Sequence, residues 1–174
     1  LLNQIGIQAG MDYLSSVGIP LDARDGNLSL ALGSMTYGVS PVILAAAYSP
    51  FANGGVYHEP YFIEKITDLD GRIIYQHQDS GTRVLSAQSA YLMTDMLRTV
   101  TTSGTGAKLS GAGVQVAGKT GTVNMTGGGN RDVWMAAYTA EVSMATWMGF
   151  DNPDSSHRLA GWISGGDYPA ALCR

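Results

Sequence analysis

Residues 116–150 read "VAGKTGTVNMTGGGNRDVWMAAYTAEVSMATWMGF", and this stretch restricts the fold of the 174-residue chain more than any other. Three strand-length apolar runs lie at residues 114–123, 132–140 and 142–150. Gly127, Gly128 and Gly129 form a loop short enough for a hairpin between the first two runs, and only the region of Glu141 separates the last two. The spacing predicts an antiparallel meander. Alternate side chains of a strand point to opposite faces. Here both faces are apolar: Val133, Met135 and Ala137 on one, Trp134, Ala136 and Tyr138 on the other. Strands buried on both sides need helices on both sides. The expected fold class is therefore α/β (α+β), an antiparallel sheet flanked by helices on both faces.

The sequence upstream contains helices suited to that role. In "SPVILAAAYSPFANGG", Ser40 is a good N-cap and Pro41 sits at the first helical position, where its missing N–H costs nothing. Pro50 should kink this helix, and Asn53, Gly54 and Gly55 should end it. In "SAQSAYLMTDMLRTV", Ser86 is the N-cap, and Met93, Met96, Leu97 and Val100 have the spacing of a buried face. Residues 1–18 read as helix in two pieces, weakened at Gly6 and Gly10 and stopped at Gly18. Residues 20–39 are rich in turn formers, and "YFIEKITDLDGRIIYQH" reads as a β-hairpin about Asp70 and Gly71.

Composition narrows the function. Hydrophobic residues make up 45% of the chain, charged residues 14%, and the formal net charge is -4. The ten Lys and Arg form no basic run, so nucleic acid and anionic membrane surfaces are not expected partners. Cys173 is the single cysteine, so neither an internal disulfide nor a cysteine zinc site is expected. His58, His77 and His157 lack ligand spacing, and no metal or cofactor is expected. No run reaches the roughly 20 apolar residues of a membrane span. The chain begins on "LLNQIG" and ends on "YPAALCR", the latter like a first helical turn, and both ends read as cuts.

Against this background Lys119 stands out, because a lysine in a doubly covered sheet needs a partner or loses its proton. Thr120 and Thr122 alternate with Gly121, and a strand glycine often marks the close approach of a ligand or another backbone. The pattern suits a strand edge that takes an extended, carboxylate-bearing ligand. The hydroxyls would bind the carboxylate, Lys119 would set the local potential, Gly121 would leave room, and backbone groups could pair with the ligand as an added strand.

A Lys-Thr-Gly triplet alone is unspecific, but it is one of three motifs of serine β-lactamases and penicillin-binding proteins, beside S-x-x-K and S-D-N. Here "VAGKTGT" is followed by "DVWMAAYT" and "ATWMGFDN", and preceded by "GVSPVILAAAYSPFANGGVYHEPYFIEKI" and "LMTDMLRTVTTSGTG". In the order and spacing of these blocks, nearly end to end, the chain resembles the later part of the transpeptidase domain of penicillin-binding proteins, most closely the bifunctional class A type.

The resemblance implies residues 1–174 as the downstream portion of one such domain, truncated at both ends. It implies a serine D,D-transpeptidase that cross-links peptidoglycan stem peptides through an acyl-enzyme and is acylated by β-lactams. Lys119 would stabilise the anionic site and support proton transfer; Thr120 and Thr122 would bind the ligand carboxylate, with Gly121 between them. The Thr122 backbone N–H would be one oxyanion donor. No serine here is followed three residues later by lysine, or two residues later by Asn or Asp, so the other two motifs are absent from the chain. The nucleophile would come from the upstream part of the same domain, and the isolated chain would be inactive. The resemblance also places the parent in the bacterial cell envelope, membrane-anchored, on the extracytoplasmic side. The rival readings are a hydrolase of the β-lactamase superfamily, a D,D-carboxypeptidase, and a non-catalytic penicillin-recognising sensor or scaffold. Against a compact β-lactamase, the 118 residues before the triplet lack the second motif. "SGTG" at 103–106 reads as a loop after a helix, and Asp132, Trp134 and Tyr138 as hairpin and core residues, with Trp134 a candidate to line the cleft.

Overall fold

The computed structural model describes residues 1–174. The chain opens with α1 (Leu2–Ile5) and α2 (Ile7–Ser16), broken at Gly6 as the sequence suggests. Two short 3-10 turns, Ala23–Asp25 and Leu28–Leu32, occupy the turn-rich stretch. Then come α3 (Pro41–Ala52), β1 (Val56–Tyr57), β2 (Lys65–Thr67), β3 (Ile73–Gln76), β4 (Thr82–Arg83) and α4 (Ala87–Thr102). A 3-10 turn at Ala107–Gly111 leads to β5 (Ala117–Asn124), β6 (Asn130–Tyr138), β7 (Ser143–Gly149) and α5 (Tyr168–Leu172). No helix is long and apolar enough to cross a membrane.

The meander is present as an antiparallel sheet of order β5-β6-β7. Its first strand begins at Ala117 rather than 114. Gly127, Gly128 and Gly129 all adopt positive φ in the β5–β6 loop, a region open to glycine at little steric cost. At the other hairpin the Thr139 hydroxyl accepts from the backbone of Glu141 and Val142.

Both faces of the sheet are covered. On one, Tyr138 packs with Ala117 and Leu97, against Tyr48 and Phe51 of α3. On the other, Met135 and Ala137 pack with Leu109, Val116, Ala170 and Cys173. Burial raises the Cys173 thiol pKa. The Thr101 hydroxyl donates to the Val116 carbonyl at 2.5 Å and ties α4 to the start of β5.

Two expectations, for α4 and for Lys119, need correction. Pro50 lies in the last turn of α3, which ends at Ala52 ahead of Asn53 as expected. The Ala46 carbonyl, which a proline at 50 cannot serve, accepts the Ser49 hydroxyl at 2.8 Å. On α4 the buried residues are Ala90, Leu97 and Thr101, whereas Met96 is 58% exposed. The helical period was right, but Met96 lies about 100° around the axis from Leu97. Finally, Lys119 is exposed rather than enclosed, because β5 is an edge strand. The expected hairpin is present as β2 and β3, exposed along both strands.

Candidate functional site

The KTGT residues occupy the middle of β5, on the edge of the sheet with no strand beyond it. Pairing with β6 is regular from Ala117 to Val123, so side chains alternate strictly there. Lys119 and Gly121 share the face of their partners Ala136 and Trp134. Thr120 and Thr122 share the face of Met135 and Val133. The lysine and the two hydroxyls, grouped together by the sequence, thus leave the strand on opposite faces and can meet only around its outer edge.

Backbone groups alternate as well, one residue turning its N–H and C=O towards β6 and the next turning them outward. The Lys119 ammonium donates to the Thr120 carbonyl at 2.8 Å. This places Thr120, and with it Thr122, in the outward set. Gly121 lies opposite Trp134, where an added Cβ would come within 3.2 Å of the Trp134 Cβ.

The hydroxyl face is braced by two residues that the sequence reading did not single out. The Thr105 and Thr120 hydroxyl oxygens are 2.6 Å apart. The Gly165 N–H donates to the Thr122 hydroxyl oxygen at 3.3 Å. The only sequence sign of Thr105 is its position between Gly104 and Gly106 directly after a helix. Gly165 belongs to a segment anchored by Asn130, whose side-chain amide donates to the Ile163 carbonyl at 2.7 Å. The same segment is held by Asp167, which pairs with Lys108 at 2.8 Å and accepts from the Ser164 N–H and hydroxyl. Hydrogen bonds from Lys108 and Ser164 hold the Asp167 carboxyl down to about 2.

Across the edge, a cleft of ≈ 570 Å³ opens between residues 32–41, the end of β5, and the paired indoles of Trp134 and Trp147. Trp134 lines it, and its N–H donates to Asp132 at 3.0 Å. Tyr138 is buried, its hydroxyl 2.9 Å from that of Thr94, and burial raises its pKa. The histidines lie elsewhere: His58 against Asp79, His157 against Asp154, and His77 stacked on Tyr61. No cluster of three or more His, Cys, Asp or Glu residues could hold a metal ion.

The fold is an antiparallel sheet between helices, with a lysine and two threonines on its free edge strand. Residues 3–164 match the penicillin binding protein transpeptidase domain, and the chain belongs to that family. Penicillin-binding protein 1F of Bacillus subtilis (strain 168) is 43% identical over 173 residues, a match covering 98% of this chain. The chain spans 23% of that relative's length. The crystal structure of penicillin-binding protein 1A from Haemophilus influenzae shares the fold with a TM-score of 0.81 and 24% identity, over 98% of this chain and 30% of that one. Penicillin-binding protein A from M. tuberculosis, solved as an imipenem acyl-enzyme complex, matches with a TM-score of 0.59 and 25% identity over 90% of this chain and 36% of that one. The class A resemblance read from the sequence agrees with the 1F and 1A matches.

Proposed function

We propose that residues 1–174 are the downstream part of a serine D,D-transpeptidase domain that cross-links peptidoglycan stem peptides. The observation that carries this reading is the free edge of β5, with the Lys119 ammonium on it and the Thr120 and Thr122 backbones turned outward. A peptide ending in D-Ala-D-Ala, or a β-lactam resembling it, would lie along that edge as an added strand. Its carboxylate would accept from the Thr120 and Thr122 hydroxyls. The Thr122 N–H would donate to the oxyanion, and the second donor would be the backbone of the nucleophilic serine, carried by the upstream part of the domain. Lys119 supplies positive potential at the reacting centre and supports proton transfer there.

The chemistry is then two acyl transfers. The serine oxygen attacks the penultimate D-Ala carbonyl and the terminal D-Ala leaves. The amine of a second stem peptide attacks the resulting ester and releases the serine. With a β-lactam, opening of the ring leaves the acyl group on the serine. In this reading the parent is anchored in the membrane, with this domain on the extracytoplasmic side of the cell envelope.

The test is labelling by a tagged penicillin of the intact parent protein and of the 174-residue chain alone, followed by mass mapping of the adduct. The label is expected on a serine of the parent outside these 174 residues, with none on the lone chain. A stoichiometric adduct on the lone chain would overturn the proposal and turn attention to its own serines, such as Ser34 or Ser103.

A further inference from the structure

A threonine hydroxyl has one proton to donate and oxygen lone pairs to accept with. The Thr105 and Thr120 oxygens are 2.6 Å apart, so one of them donates to the other. If Thr120 donates, its only proton is engaged and its oxygen offers lone pairs to a ligand carboxylate, which repels them. If Thr105 donates, the accepting side of Thr120 is filled and the Thr120 proton is free to turn towards the edge.

The neighbouring threonine shows the second arrangement without ambiguity. The donor to the Thr122 oxygen is the Gly165 backbone N–H, which can only donate. Thr122 therefore keeps its proton for another partner. The Thr105 backbone is held in place beside Thr120. It follows the last residue of α4 closely, with the Gly106 N–H donating to the Val100 carbonyl at 3.0 Å. Gly166 packs so closely on the Thr105 carbonyl that a Cβ there would overlap it.

We propose that Thr105 is a positioning residue: it donates to the Thr120 hydroxyl oxygen and so commits the Thr120 proton to the carboxylate of the ligand on the β5 edge. The inference rests on the carboxylate-binding reading above. Thr105 itself touches no reacting atom. Its effect is confined to ligands that carry the carboxylate.

The experiment uses the intact parent protein with Thr105→Val, Thr105→Ser, Thr105→Ala and Thr120→Val. Acylation rate constants are measured for a penicillin and for its methyl ester, and the readout is their ratio, which does not depend on the fraction of protein that is folded. Thr105→Val and Thr105→Ala are expected to lower the ratio about fivefold, the scale of one net hydrogen bond. Thr105→Ser, which keeps the hydroxyl, is expected to restore the parent ratio. An unchanged ratio in Thr105→Val and Thr105→Ala, with a ratio that falls in Thr120→Val, overturns the role of Thr105 alone. An unchanged ratio in Thr120→Val overturns the carboxylate reading on which it rests.

Discussion

The Gly165 N–H reaches the Thr122 hydroxyl oxygen across 43 residues of chain. Gly165 is buried against the Gly121–Trp134 pair, and no side chain fits there. A Cβ at 165 would overlap the Trp134 carbonyl oxygen and lie within 2.7 Å of the Gly121 oxygen. Backbone on both sides cannot yield as a side-chain tip can.

Gly165→Ala should therefore lift the 161–166 segment off β5 and remove the contact to Thr122. In the intact parent, penicillin acylation should fall by about tenfold, as expected for losing one well-placed hydrogen bond together with strand position. Stopped-flow acylation kinetics would measure it. Parent-like rates in the variant would mean that the contact does not shape the site.

Asn130 is almost fully buried, and its side chain bonds in three directions. It accepts from the Asn124 amide at 2.6 Å, and its own amide reaches the Ile163 carbonyl at 2.7 Å and the Gly161 carbonyl at 3.4 Å. Asn130→Ala leaves those groups without their partner, at a cost of about 2–3 kcal/mol. Urea unfolding of the intact domain should show the loss as a lower midpoint at unchanged slope. A variant as stable as the parent would show that the Asn130 side chain does not anchor the segment.

Asp167 gives a pH signature with a definite sign. Its folded-state carboxyl sits at about 2, chiefly through the hydrogen bond from Lys108. An unfolded aspartate titrates near ~3.9. The folded state thus binds the proton more weakly, and the stabilisation is complete above the unfolded value. It is lost as pH falls from there through about 2. Asp167→Asn should melt below the parent at neutral pH, and the two melting temperatures should converge as the solution is acidified through that window. A gap that stays constant across it would rule out the linkage.

Local signals were legible wherever the chemistry is local. Ser40 and Ser86 cap their helices as expected, accepting from the backbone of Ile43 and Ser89. The glycines at 127, 128 and 129 turn the hairpin because only their own φ angles matter there. Lys119 was misplaced because an apolar run looks the same on an edge strand and a central one; strand order, which is set by the whole chain, decides its exposure. Thr105 and Gly165 were missed for a related reason. Their contacts to β5 join residues 15 and 43 positions apart, and neither leaves a periodic trace. The opposite faces of Lys119 and Thr122 follow from strand alternation, once the stretch is known to be a regular strand.

The central claim is that the outer edge of β5 binds a carboxylate with its hydroxyls while Lys119 acts on the reacting centre. It is tested most directly by acylation rates of Thr122→Val and Lys119→Ala in the intact parent, with a penicillin and its methyl ester. Thr122→Val keeps the β-branched shape and the backbone N–H but removes a hydrogen bond to a charged group, worth about 1.5–3 kcal/mol. It should slow the penicillin by about tenfold to a hundredfold and the ester much less. Lys119→Ala removes a charge felt by every substrate and should slow both. Equal slowing of the two ligands by Thr122→Val, or slowing of the penicillin alone by Lys119→Ala, would contradict the account.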